Sequence, residues 1–225
     1  MIQILCIDTT TDVCSVALTQ NGTVVAAIEN SDKNTQSALL TIYIEQILKE
    51  ANCAYKQLSA VAISSGPGSY TGLRIGASVA KGLCYALDIP LISTDTLTAL
   101  AQQAAKIYPH TNAYYVPMID ARRQEVFAAL FDNHLNIITA PQAIVLEPTT
   151  FENLLNEKLV LFFGTGSVKY KSMLQHQNAQ FIDTQTVYCI ANNIAKLSYQ
   201  QYCKKDFAHT AYYEPLYVKP FYIGN

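Results

Sequence analysis

One pattern constrains the fold of this 225-residue chain more than any other: its two halves repeat. ILCIDTTTDVCSVAL near the start is answered by VPMIDARRQEVFAAL, which aligns Asp8 with Asp120 and Leu18 with Leu130. In the same order, VAISSGPGSY, with Gly66, Gly68 and Ser69, is answered by LVLFFGTGSV, with Gly164, Gly166 and Ser167. Each half therefore supplies an acidic hairpin, then a strand and a Gly-x-Gly-Ser turn. The repeat predicts two similar α/β lobes, residues 1–107 and 113–225, joined by the linker YPHTN. Paired lobes of this kind enclose a cleft, and the question becomes what occupies it.

Within the first half, MIQILCID, VCSVALTQ and TVVAAIEN read as strands, the last two reversed at Asn21-Gly22, a strong hairpin signal. A helix is expected from about Asn34 to Ala51, capped by Asn34 or Thr35. Leu40, Tyr43, Ile44, Ile47 and Ala51 share one stripe of it, and Leu39 and Ile42 widen the apolar arc beyond what one sheet needs. AVAISS is a buried strand, GPGS a turn and Tyr70 to Leu87 a helix; IPLIS is a strand, and a helix follows from Thr94 or Asp95 to Ile107. The second half repeats the plan, with strands near 114–119, 125–131 and 135–139, a short helix over PTTFENLL, the strand LVLFF and a helix over 187–203. The tyrosine-rich end AHTAYYEPLYVKPFYIGN reads as an extended tail lying on the protein.

Only 14% of residues are charged, against about 25% in an ordinary soluble domain. Such a surface favours a chain that covers part of itself with a partner. The net charge of −2 provides no basic field for many phosphates, so nucleic acid would have to be gripped by something else. The three arginines, Arg74, Arg122 and Arg123, fall in the repeated segments, where their planar forks suit phosphate contacts and ordinary ion pairs alike. Six scattered cysteines without C-x-x-C spacing argue against a zinc site or disulfide framework and for a reducing cytoplasm. No signal peptide or membrane span is expected.

A hairpin tip of Asp8, Thr9 and Thr10 has hydroxyls and backbone N–H groups that can cradle phosphates, with the acid holding water around magnesium. Actin-like ATPases and sugar kinases use such hairpins, with a glycine after the acid so that phosphate can approach the backbone. Here Thr9 and Ala121 stand at those positions. Degenerate phosphate loops are therefore expected at Asp8, Thr9, Thr10, Gly66, Gly68, Ser69, Asp120, Gly164 and Gly166, with no cofactor and residual nucleotide binding left open. GPGSYTGLRIG lies between a strand and a helix, as anion sites do, but matches neither the dinucleotide nor the P-loop spacing. After it, Gly72, Gly76, Ala80 and Cys84 recur every four residues, a side-chain-poor face fit for a partner helix or for the chain's own sheet. The histidines, His110, His134, His176 and His209, are too scattered for a metal site, and no G-x-S-x-G elbow occurs. On residues alone the fold class is α/β, two duplicated actin/hexokinase-like lobes with the catalytic groups missing.

ILCIDTTTDVCSVAL, SSGPGSYTGLRIGASVAKGL, MIDARRQEVFAALF, FGTGS and EPLYVK together resemble the TsaB family, in that family's order and over nearly the whole chain. The resemblance implies the two-lobed actin/hexokinase-like (ASKHA) fold. It also implies a non-catalytic scaffold subunit that works with TsaD and the ATPase TsaE to threonylcarbamoylate N6 of adenosine 37 in tRNAs reading codons that begin with A. Metal and active site would belong to TsaD, through an H-x-x-x-H pair that is absent here. The family's partner surface uses its first two helices. It maps onto Leu39, Leu40, Tyr43, Ile47, Tyr70, Gly72, Leu73, Gly76 and Ala80, with a close helix crossing over Gly72 and Gly76. That face would dock on TsaD, or on a second copy as a homodimer when TsaD is absent, and tRNA would be met through the complex. Many relatives carry a histidine near Asn34, and no role of that histidine transfers. The rivals are an ATP-consuming kinase or ATPase of the same fold and a metallopeptidase-like hydrolase.

Overall fold

The computed structural model describes residues 1–31 and 36–219. Three strands open the chain as an antiparallel meander: β1 (Gln3–Asp8), β2 (Cys14–Gln20) and β3 (Thr23–Asn30). Asn21 and Gly22 make the second reversal with φ of 49° and 82°, the left-handed pair that a two-residue turn between twisted strands requires. Helix α1 (Gln36–Glu50) follows; the expected caps, Asn34 and Thr35, lie outside the described residues. Strand β4 (Ala60–Ser64) pairs parallel to β1, and β5 (Leu91–Thr94) parallel to β4 across the crossover helix α2 (Tyr70–Leu87). Helix α3 spans Thr96–Ile107. The sheet runs β3-β2-β1-β4-β5.

The second half builds the same sheet. A meander of β6 (Ala113–Asp120), β7 (Glu125–Phe131) and β8 (Ile137–Val145) is followed by α4 (Glu152–Glu157), β9 (Leu159–Phe163), α5 (Ser167–Lys171) and β10 (Ala179–Phe181). Its order, β8-β7-β6-β9-β10, and its pattern of antiparallel and parallel pairs match those of the first. The repeat in the sequence is thus a repeat of topology: two mixed five-stranded sheets, one per lobe. Phe151, Phe162, Tyr170 and Phe181 pack edge-to-face and stacked in the core of the second sheet, at centroid separations of 5.1–6.2 Å.

The compact units do not coincide with the sequence halves. One comprises Met1–Thr96 and Cys189–Leu216; the other comprises Leu97–Tyr188 and the chain from Tyr217 onward. This corrects the boundaries 1–107 and 113–225. The cause is burial of the first sheet on both faces. Leu5 and Ile7 point into a core with Leu40, Ile44 and Ile47 of α1. Cys6, between them, points to the other face. That face is covered by α6 (Ala191–Lys204), the helix that the repeat assigned to the second half. The Cys6 thiol lies 3.6 Å from the Ser198 hydroxyl, Thr94 Oγ1 donates to Gln201 Oε1 at 2.7 Å, and Gly22 abuts the Tyr199 ring.

Smaller differences have local causes. The third strand of the second half begins later and runs further than 135–139, because the Asp132 carboxylate accepts from the amides of His134 and Asn136, both at 2.8 Å, and fixes a turn there. Helix α4 starts past PTT, where Thr150 Oγ1 accepts from the Glu147 amide. Beyond α6, Phe207 to Leu216 forms no regular element and lies along the first unit as a strap; residues 220–225 of the expected tail lie outside the described residues. No helix among the described residues is long and apolar enough to cross a membrane.

Candidate functional site

The first hairpin tip is closed by its own neighbours. Asp8 ends β1, and its Oδ1 accepts from the Thr10 amide at 2.9 Å and the Thr10 hydroxyl at 2.7 Å. Oδ2 accepts from the Ser64 hydroxyl, at the end of β4, at 2.5 Å. Burial pushes the Asp8 carboxyl above the usual carboxylate range, against the pull of these three hydrogen bonds. The nearby thiols are raised as well: burial, then the Asp8 charge, lift Cys14 to about 11 and Cys189 well above its ordinary value. Neither thiol is a nucleophile at neutral pH.

The Gly-Pro-Gly-Ser turn presses directly on that tip. Ser69 donates its amide to Thr10 O at 2.7 Å, and a Cβ on Gly68 would lie 2.4 Å from the same oxygen. The Thr9 hydroxyl donates to Gly72 O at 2.7 Å. A phosphate cradle needs converging free amides. Here the Thr10 amide is held by Asp8, the Gly66 amide by Thr96 Oγ1 at 3.0 Å, and the Gly72 amide by Ser69 Oγ, the N-cap of α2, at 3.2 Å. The structure does gather Asp8, Thr9, Thr10, Gly66, Gly68 and Ser69 into one cluster, in which the Thr10, Gly66 and Ser69 amides are held by groups of the chain itself.

The second hairpin is closed by different means. Gly164 (φ 86°) and Gly166 bring their turn against β6, where a Cβ on Gly164 would stand 2.4 Å from Met118 O. Thr165 Oγ1 accepts from the Asp120 amide at 3.1 Å. The Asp120 carboxylate accepts from the Arg122 amide at 2.6 Å and from Lys169 Nζ at 2.7 Å. Lys169 Nζ also donates to Arg123 O at 2.6 Å. The acceptors of this tip converge on an ammonium, the reverse of a cradle for an anion. Lys169 was not legible as a site residue, because its only signal is one lysine two positions after GTGS.

The expected partner face needs correction. Gly72, Leu73, Gly76 and Ala80 are buried within the first unit, as are Leu40 and Ile47. The small-residue face of α2 is turned to its own sheet: a Cβ on Gly76 would lie 2.5 Å from Thr9 Oγ1 and 3.3 Å from Ile63 Cδ1. A close crossing of a partner helix over Gly72 and Gly76 is therefore precluded. Leu39, Tyr43 and Tyr70 remain half-exposed. Ser78, Gly82 and Tyr85 of α2 are exposed instead, as is Ile42 of α1. Among the described residues nothing lies within 4 Å of where a Cβ on Gly82 would be, and Tyr85 is 88% exposed. The four-residue spacing of Ser78 and Gly82 was visible in the sequence but was overshadowed by the longer buried series.

Among the described residues no three His, Cys, Asp or Glu side chains are grouped to hold a metal ion.

Comparison with known proteins places these features in a family. The family described as "TsaD: tRNA N6-adenosine threonylcarbamoyltransferase" matches residues 23–215. The tRNA threonylcarbamoyladenosine biosynthesis protein TsaB of Bacillus subtilis is 32% identical over 175 residues, 76% of this chain and 75% of that one. The structure of YeaZ from Pseudomonas aeruginosa superposes with a TM-score of 0.80 at 24% identity, covering 96% of this chain and 100% of the other. The activator of 2-hydroxyisocaproyl-CoA dehydratase from Clostridium difficile, solved with bound ADPNP, shares the fold more distantly. Its TM-score is 0.50 at 10% identity, over 92% of this chain and 99% of that one.

Proposed function

The chain belongs to the TsaB family, and from that premise we propose that it is the non-catalytic scaffold subunit of a tRNA threonylcarbamoyl transferase complex. Its relatives are named for tRNA threonylcarbamoyladenosine biosynthesis. In this reading it binds TsaD through the exposed face of α1 and α2, and the pair forms the surface on which TsaE acts. The modified atom is N6 of adenosine 37, tRNA is met through the complex, and the work is cytoplasmic. Chemistry and metal belong to TsaD.

The observation that carries the reading is Gly82. A glycine inside a helix costs about 1 kcal/mol relative to alanine, and nothing among the described residues lies within 4 Å of where its Cβ would be to repay it. A partner backbone laid over Ser78 and Gly82 would repay it. A chain matched by the transferase's own family shares the fold with its proposed partner. Each would present an equivalent helix pair, a favourable starting point for pseudo-twofold packing. A second copy of this chain could use the same face when TsaD is absent.

The rival, an ATP-consuming kinase or ATPase, is disfavoured because the Thr10 amide is held by Asp8, the Arg122 amide by Asp120, and Asp120 itself by Lys169. The deciding experiment is a reconstituted modification assay with the threonylcarbamoyl-adenylate, TsaD, TsaE and tRNA, with and without this chain. Product only when this chain and TsaD are both present is the expected result. Product, or ATP hydrolysis, from this chain alone would overturn the scaffold reading.

A further inference from the structure

The tip of the second hairpin carries two of the three arginines of this chain, in a backbone conformation that arginine does not favour. Arg122 and Arg123 are consecutive left-handed residues, φ 67° and 51°, in a region that glycine, asparagine and aspartate visit and other residues enter at a cost. The reversal between β2 and β3 also needs a left-handed pair, and there the chain places Asn21 and Gly22. The fold of the second tip does not use the Arg122 side chain. Its amide donates to Asp120 Oδ1 at 2.6 Å, and its carbonyl accepts from the Glu125 amide at 3.1 Å. The residue is exposed, and among the described residues no hydrogen bond or ion pair engages its guanidinium.

The acids that would ordinarily pair with these arginines are already taken. Asp120 is paired with Lys169 of α5, and Glu125 with Lys219 near the end of the described chain. Lysines from two other segments thus match the two carboxylates flanking the tip, and the two guanidiniums remain as a positive excess. We infer that Arg122 and Arg123 contact the phosphodiester backbone of the tRNA, as positioning residues for the substrate. The inference rests on the scaffold reading above, which brings RNA to the complex. Strain kept at a surface where it adds nothing to the fold marks a side chain retained for what it meets. The arginine fork takes two phosphate oxygens at once. A chain of net charge −2 does not hold tRNA by its field. The pair instead fixes the register of an RNA gripped by the whole complex, which is the part that phosphate contacts play. A carboxylate of a protein partner would suit the same fork, but relatives named for tRNA threonylcarbamoyladenosine biosynthesis favour phosphate.

The test is tRNA binding to the reconstituted complex over about 50–200 mM salt, with the full-length chain as wild type, Arg122→Gly, Arg122→Lys or Arg122→Gly/Arg123→Gly. The probe is an unmodified tRNA reading codons that begin with A. Arg122→Gly is expected to weaken binding several-fold and to lower the slope of log K against log salt by about one, and the double variant by about two. Arg122→Lys should keep the slope but lose affinity, because the charge stays and the fork goes. The urea midpoint of Arg122→Gly should rise, because glycine relieves the left-handed strain. A structural arginine would instead lose stability, so a lowered midpoint overturns the assignment. So does a loss of affinity for the transferase subunit measured without tRNA, which would give the guanidiniums to a protein carboxylate. If tRNA affinity and slope are unchanged while the wild-type chain remains necessary for product, the inference fails alone. If product forms without the chain, the scaffold reading fails and the inference with it.

Discussion

Gly76 rests on Thr9: a Cβ at position 76 would stand 2.5 Å from the Thr9 hydroxyl oxygen, and that hydroxyl donates to Gly72 O at 2.7 Å. Helix α2 and the first hairpin tip are thus interlocked by a glycine and a threonine. The same contact explains why the tip is closed and why the small-residue face is unavailable to a partner.

Gly76→Ala is therefore expected to destabilise the chain. Alanine gains about 1 kcal/mol of helix propensity, but overpacking a buried contact costs about 1–3 kcal/mol. The loss should prevail, because Thr9 is buried, short and committed to Gly72. Gly76→Leu should be worse by several-fold or fail to fold. Urea unfolding measures this; a midpoint equal to or above wild type would show that the contact is not tight.

Gly82, six residues on, should behave in the opposite way. Gly82→Ala enters open space and should raise the stability of the isolated chain by about 0.5–1 kcal/mol. Gly82→Leu should leave that stability within about 0.5 kcal/mol yet lower transferase affinity on the order of tenfold or more. Unfolding and binding measured on the same preparations separate the two effects. Equal losses in both would return Gly82 to the chain's own packing.

The contrast between Gly76 and Gly82 also marks what the sequence could reveal. Periodicity places small residues on one side of α2, but it cannot say which side meets the sheet when both carry small residues. The hairpins were legible because Asn21-Gly22 and the alternating runs act locally, and the repeat made the second sheet readable from the first. What α6 covers was not legible: its packing on β1 joins residues such as Cys6 and Ser198 that are far apart in the chain. The departure of Thr9 and Ala121 from glycine was legible at both hairpin tips. The means of closure, by Ser64 and Ser69 in one lobe and Lys169 in the other, depended on side chains brought in from other elements.

Asp8 should give the first unit a pH dependence of a particular sign. Burial raises its carboxyl in the folded state. Its contribution is therefore fully present below the unfolded carboxyl value of about 4 and is lost as pH rises through the raised folded value. Asp8→Asn keeps acceptors for Thr10 and a group for Ser64 while removing the titration. The stability of wild type relative to Asp8→Asn should accordingly fall as pH rises above about 4 and through the raised folded value. Asp8→Ala should cost about 2–4 kcal/mol at any pH, by leaving the Thr10 and Ser64 donors unpaired. Calorimetry across that range checks the sign, and a folded Asp8→Asn protein without activity in the reconstituted assay would return the hairpin to catalysis.

Lys169 should prove to be a fastener of the second hairpin. Arg122 and Arg123 hold consecutive left-handed conformations, φ 67° and 51°, at roughly 1–2 kcal/mol each for residues other than glycine. The ammonium binds Asp120 Oδ1 and Arg123 O, and so ties the strained turn to α5. Lys169→Met should lower the stability of the second unit by about 1–2 kcal/mol, because Asp120 is partly exposed and water replaces some of what is lost. Hydrogen exchange should quicken at the Ala121 and Glu125 amides, which bond across the turn to Glu125 O and Arg122 O. Adding Arg122→Gly should restore about 1 kcal/mol by removing the left-handed strain. Unchanged exchange in Lys169→Met would mean that the turn holds itself, and no restoration on adding Arg122→Gly would mean that the strain is not what the lysine opposes.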